Sequence, residues 1–322
     1  MPAARNDAPP RPVNQVLKAA GLTLVAALFF AGLGAQVKHL TGDLHGFVVV
    51  FWRNFWGLAF ILPWLMHRGL GDLGFVRMKM FGLRAVLSLA SMLCGFTSLA
   101  YLSFADATAL TFTAPLFATI LAALVLGEAV RARRWTATVV GFIGVLIIVR
   151  PGVVGIGIGE VLALGGAFLT ATVIVTVKQM SHTEHPNAIV AYMVLLLTPM
   201  SLVCALPFWS WPQLQDWPFV VGMGLTGTLG HVFWTRAISM IDASVVAPFD
   251  YSRLVFAMII GFLAFGEEPD RYTLLGSAII VAAGIYIARR EASVNQRAAG
   301  DAMAASADPS RPSAAPPDGT KV

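Results

Sequence analysis

The sequence predicts an all-α membrane protein of ten transmembrane helices, arranged as two inverted five-helix repeats. Three observations carry that prediction. The first is composition: of 322 residues, 57% are hydrophobic and 12% charged, with a mean hydropathy of +0.75, where a soluble domain carries about a quarter charged residues. The second is length: a bilayer core about 30 Å thick needs about 20 apolar residues per helix, and such runs recur from Ala19 to Ala288. The third is an internal repeat. Because the runs are continuous rather than alternating, a β-barrel is excluded and helices remain as the spanning element.

The spans of the first half run Ala19 to Val37, Phe47 to Met66, Met80 to Leu102, Ala105 to Leu126 and Trp135 to Val149. Those of the second half run Gly157 to Val177, Ala188 to Phe208, Trp217 to Met240, Ala243 to Phe265 and Tyr272 to Ala288. The first run is longer than the apolar core of a signal peptide and many more follow it, so it reads as a retained helix. The spans leave only short loops, with no room for an extramembrane domain. Residues 1–14 and 292–322, rich in Pro, Ala, Ser and Asp, are expected to be disordered tails. Cys94 and Cys204 both fall inside apolar runs, where a free thiol behaves as a small hydrophobe.

Placing the N-terminus in the cytoplasm puts 17 of the 22 lysines and arginines on the inner side. The outer side then holds Lys38, Arg150 and Arg271, and Arg53 and Arg253 remain within the membrane. Both termini are therefore expected to be cytoplasmic, in the inner membrane of a bacterium. The net charge of +5 describes loops and topology, and no nucleic-acid partner is inferred from it.

A shift of 140 residues lays Val37-Lys38 on Val177-Lys178 and His45 on His185. A shift of 139 lays Gly127-Glu128 on Gly266-Glu267 and Arg150 on Arg289. The chain thus divides into a first repeat at 15–152 and a second at 153–291. Five spans per half is an odd number, so the halves enter the membrane with opposite orientation, the pattern of secondary transporters whose site lies where the halves meet.

Residues 105–152, ADATALTFTAPLFATILAALVLGEAVRARRWTATVVGFIGVLIIVRPG, carry Pro115 in mid-helix and Gly127-Glu128 at a helix end. They resemble the first EamA repeat of the drug/metabolite transporter superfamily, and VVAPFDYSRLVFAMIIGFLAFGEEPDRYTLLGSAIIVAAGIY resembles the second. The resemblance implies a ten-helix carrier whose central cavity is lined by the first four helices of each half. It departs from strict symmetry in one respect, since Pro115 lies 13 residues before Glu128 and Pro248 lies 19 before Glu267. The function expected is secondary transport of a small polar or amphipathic metabolite by alternating access, with a membrane channel or an intramembrane enzyme as alternatives. No catalytic constellation or cofactor motif occurs, so neither catalysis nor a cofactor is expected. The partners expected are a small-molecule substrate and membrane lipid, and a homodimer is compatible with the sequence.

Candidate site residues are polar or aromatic groups inside spans, because a charge at the bilayer centre costs at least about 2.5 to 3.5 kcal/mol. On the ninth span, Asp250, Arg253, Ala257, Gly261 and Ala264 share one face and Val255, Ile259, Phe262 and Leu263 lie opposite. Asp250 and Arg253 are spaced to pair with each other, or Arg253 can hold an anionic substrate group in its planar fork; Tyr251 lies between them. Arg53 and Asn54 form an outer candidate contact, with snorkelling of Arg53 as the plainer reading. Thr111 and Phe112 belong to a stripe on the fourth span that also holds Thr108, Pro115 and Thr119. His231 and Trp234 share a face of the eighth span with Gly224 and Gly227, although a lone buried histidine is more often structural. Glu128 and Glu267 read as helix-end residues rather than proton carriers.

Several patterns mislead. Gly222, Gly224 and Gly227, with Asp242 further on, spell a dinucleotide fingerprint, yet no strand precedes them and they lie in a span where glycine permits close helix approach. His182, Glu184 and His185 match no metal-ligand spacing, and no P-loop occurs.

Overall fold

The computed structural model of the chain describes residues 13–68, 78–125, 132–150, 156–180, 186–240, 249–283 and 285–286. Most of the expected tails lie outside the described residues, as do Glu128, His182, Glu184, His185, Asp242 and Pro248. Helices α1 to α11 run Val13–Leu40, Gly46–Arg68, Met78–Ser98, Phe104–Thr111, Ala114–Val125, Ala132–Val149, Ile158–Met180, Pro186–Ala205, Trp217–Met240, Ser252–Phe265 and Arg271–Ala283. No strand occurs among the described residues.

Among the described residues, five stretches are long and apolar enough to cross a bilayer: Leu17–Leu40, Gly46–Pro63, Met78–Ser98, Phe104–Val125 and Ile158–Val177. Apolar side chains line the outside of the bundle, as on α6, where Val139, Ile143 and Leu146 are about half exposed. Such a stripe is a liability in water and meets lipid tails in a bilayer.

The fourth span, expected to be one helix, is broken. Helix α4 ends at Thr111, Phe112 and Thr113 form a turn, and α5 starts at Ala114 with Pro115 in its first turn. Proline has no N–H and its ring excludes the carbonyl four residues earlier, so the ladder restarts here. The Phe112 and Thr113 N–H groups donate to the Ala109 and Leu110 carbonyls at 3.1 Å, and the Thr113 hydroxyl donates to Leu110.

Helix α1 packs along α9, α3 along α7, and α10 against α1 and α4. Glycine sets the closeness of the α9 contacts. A Cβ on Gly224 would stand 2.3 Å from the Trp56 Cβ, and one on Gly230 2.8 Å from the Phe30 ring. The glycine pattern on this span is therefore a helix-packing surface.

On α10, Ala257 and Gly261 are buried while Val255, Ile259, Phe262 and Leu263 face outward, as the periodicity predicts. Ala264 departs from it: one residue from the helix end, it is exposed. The end of the bundle that holds Lys38 also gathers tryptophans, with Trp52 5.2 Å from Trp217 and Trp209 5.5 Å from Trp211, measured between ring centroids. Tryptophan prefers this position at a membrane–water interface.

Candidate functional site

A cavity of about 230 Å³ lies among α1, α3, α4, α7 and α10. Its apolar wall includes Phe30, Leu33, Phe96 and Phe104, and its polar atoms come from Ser91, Thr108, Thr111, Thr170 and Arg253. The three threonine hydroxyls each donate to the carbonyl four residues earlier in their own helix, and Ser91 bonds across to the next helix. Thr108 donates to Phe104 at 2.7 Å and Thr111 to Ala107 at 2.9 Å. Thr170 reaches Gly166 at 2.9 Å, and Ser91, on the neighbouring α3, reaches the same carbonyl at 2.9 Å and Thr170 at 2.7 Å.

Arg253 begins α10 with its guanidinium over two aromatic rings, 4.7 Å from the Phe112 centroid and 5.9 Å from that of Phe30. Such stacking is worth about 0.5 to 2 kcal/mol, depending on desolvation. The rings continue on both sides: Tyr251 lies 4.8 Å from Phe112, and His231 meets Phe30 edge-on at 5.1 Å. Four of the candidate residues, Tyr251, Phe112, Arg253 and His231, thus form one chain of contacts whose last link, from Arg253 to His231, is Phe30, which the sequence did not single out. Thr111 borders the same cavity.

Of the two readings of Asp250 and Arg253, their pairing with each other is not made. Among the described residues neither Arg253 nor Arg53 pairs with a carboxylate, and the Arg253 Nε is buried without an acceptor. The guanidinium lies over the Phe112 and Phe30 rings instead, which three-residue helical spacing alone does not reveal.

Arg53 lies against the glycine face of α9, where its nitrogens stand 3.4 and 3.5 Å from a Cβ placed on Gly227, and it donates to the Asn54 Oδ1 at 3.1 Å. Asn54 is buried, with its Nδ2 unpartnered and its carbonyl accepting from Thr198 at 3.4 Å. Trp234 does not join the group. Like Leu22 and Met240, it packs against the buried pair Ala19 and Ala237, where α1 meets α9.

A second set of charged residues closes the Lys38 end. The Lys38 Nζ is 2.8 Å from the Glu267 Oε1 and donates to the carbonyls of Leu102 at 2.7 Å and Leu99 at 3.4 Å. The other Glu267 oxygen, Oε2, accepts the Phe104 N–H at 2.6 Å. Gly266 makes this geometry available: at φ 65° it ends α10 in the left-handed region, where glycine carries no Cβ penalty, and the next N–H returns to Gly261 at 3.0 Å. The Gly-Glu landmark read from the repeat is thus a turn that aims a carboxylate at another helix.

Nearby, Ser103 caps α4 by accepting from the Asp106 N–H at 3.1 Å. Asp106 accepts in turn from the Thr273 hydroxyl at 2.6 Å. The Arg150 Nη2 reaches the Asp270 Oδ2 at 2.6 Å. The Thr273 N–H, first, and Arg150 hold the Asp270 carboxyl below its ordinary value of 3.8.

A family model described as the EamA-like transporter family matches residues 17–150 and again 157–289. A riboflavin transporter of Vibrio cholerae is 34% identical over 281 residues, covering 85% of this chain and 94% of that protein. An S-adenosylmethionine uptake transporter of Rickettsia felis is 29% identical, covering 88% and 95%. A pseudopaline exporter of Pseudomonas aeruginosa is 32% identical, covering 86% and 98%. A solved crystal structure only 21% identical covers 84% of this chain and 96% of its own at a TM-score of 0.59, which shows a shared fold. With one family model matching it twice in succession, the chain belongs to the EamA-like transporter family.

Proposed function

We propose that this chain is a secondary transporter that carries a small polar or amphipathic metabolite across the cytoplasmic membrane of a bacterium by alternating access. It does so through ten transmembrane helices in two inverted halves, with both termini in the cytoplasm. The single observation that carries the reading is the position of the cavity: α1, α3 and α4 come from the first family match, and α7 and α10 from the second. A site shared by two halves opens to one side or the other as the halves rock. The packing supports the same symmetry, because a shift of about 140 residues takes α1 to α7 and α3 to α9. The contact of α1 with α9 and that of α3 with α7 are then one contact repeated.

In this reading Arg253, Thr111, Phe112, Tyr251 and His231 form the substrate site, with Asp250, Arg53 and Asn54 beside it and Trp234 outside it. The Lys38–Glu267 pair joins the two halves above the cavity and is the outer gate. Saturable uptake with counterflow in proteoliposomes tests the proposal. Flux that rises linearly with concentration and shows no counterflow identifies a channel instead.

A further inference from the structure

The cavity's hydrogen-bonding groups are sorted by polarity. Arg253 is the only side chain in its lining that presents N–H donors. Its guanidinium carbon lies over the Phe112 and Phe30 rings, 4.7 and 5.9 Å from their centroids, and its buried Nε, on the in-plane edge of the group, has no acceptor. The hydroxyls present the opposite character. The single protons of Thr108 and Thr111 are committed to the carbonyls of Phe104 and Ala107. The protons of Ser91 and Thr170 are committed to Gly166 and to each other. What these four hydroxyls offer the cavity is lone pairs.

From this sorting, and resting on the transport reading above, we infer that the substrate is an organic anion that also carries N–H or O–H donors. Its carboxylate or phosphate takes the in-plane edge of Arg253, and its donors meet the acceptor oxygens of α3, α4 and α7. A guanidinium edge matches the two oxygens of such a group and binds a neutral carbonyl far less well. Charge points the same way: Arg253 has no carboxylate partner among the described residues, so an anionic ligand supplies its counter-charge inside the membrane. The apolar wall of Phe30, Leu33, Phe96 and Phe104 accommodates the body between the two polar ends.

The test uses purified full-length protein and matched pairs that differ in one anionic group. Orotate, which carries N–H donors, is compared with its decarboxylated form, uracil, and riboflavin 5′-phosphate with riboflavin, by thermal shift and equilibrium binding. The anionic member of at least one pair is expected to bind about tenfold or more tightly, the scale of a charge-assisted hydrogen-bonded contact. Arg253→Gln is expected to erase that preference, and Arg253→Lys to keep part of it. Ser91→Ala with Thr170→Val is expected to weaken the anionic member without changing the preference for charge. The inference is overturned if no anionic member stabilises the wild type, if the uncharged or decarboxylated members bind as well, or if the preference survives in Arg253→Gln. Failure of the transport reading is a separate result: the anionic compound binds, yet proteoliposomes show no saturable counterflow.

Discussion

Basic residues meet two different fates in this molecule. At the Lys38 end they are matched to carboxylates from distant helices, Lys38 with Glu267 and Arg150 with Asp270. Elsewhere in the bundle, Arg253 lies on aromatic rings and Arg53 on a glycine face, with no carboxylate paired to either among the described residues. The Lys38–Glu267 pair, whose remaining bonds go to the Leu99 and Leu102 carbonyls and the Phe104 N–H, locks two elements together and leaves little for a ligand. A cation held by rings keeps its donor edge open at a cost in stability. The first arrangement is what a latch requires, and the second is what a binding site requires.

The contrast breaks most readily at the latch. Replacing one member of the Lys38–Glu267 pair leaves the other partly buried with its bonds unfilled. Glu267→Gln and Lys38→Gln should therefore each cost about 2 kcal/mol of stability, and the double variant should cost less than the sum of the two. Denaturation of the purified protein in detergent measures this, and strict additivity would show that the pair does not couple the helices. Gly266→Ala should have the next largest effect, about 1 kcal/mol, since it places a Cβ at φ 65° and turns Glu267 away from Lys38. If the loss vanishes in a Lys38→Gln background, the glycine acts through the carboxylate it aims.

Arg150 and Asp270 are 30% and 40% exposed, so solvent screens them and Asp270→Asn should cost less than about 1 kcal/mol. The sign with pH follows from the lowered carboxyl. The contribution is complete above the ordinary value of 3.8 and is lost as pH falls below it. The stability difference between wild type and Asp270→Asn should therefore be flat from neutral pH to about 5 and close only in stronger acid. A difference that closes near neutral pH would point to another group.

The smallest effect sharpens the comparison. Asp250→Asn and Arg253→Gln should each change stability by no more than about 1 kcal/mol, because no ion pair joins them and Arg253, only partly buried beside the cavity, stacks at the lower end of the cation–π range. Their double variant should not restore ligand binding abolished with Arg253. A penalty matching that of Glu267→Gln, or binding recovered in the double variant, would make the two residues mutual neutralisers and remove the distinction between the regions.

What was legible in the sequence is what short-range chemistry controls. Apolar runs of membrane length follow from composition, and the inward face of α10 at Ala257 and Gly261 from a period of 3.6. The glycine face of α9 follows from residue size, and the repeat from landmarks such as Gly266-Glu267 that a single family model also matches twice. Each of these depends on residues within a few turns of one another, or on resemblance between stretches. The same holds in part for the site: Arg253, Tyr251, Thr111 and Phe112 stand out because charge and hydroxyls are rare inside such spans.

Only the tertiary structure decided which residues those groups touch. Lys38 and Glu267 are far apart in the chain, as are Phe30 and Arg253, and no local pattern says that α1 lies beside α10 at one end and beside α9 along its length. Arg253 could have turned to Asp250, three residues away. The ring of Phe112, freed by the break before Pro115, and that of Phe30 lie over the guanidinium instead. Trp234 shows the same from the other side, since it packs against an alanine pair where α1 meets α9 and not in the site its helix face suggested. Helix propensity and hydropathy act along the chain, whereas pairing, stacking and cavity polarity arise only when helices meet.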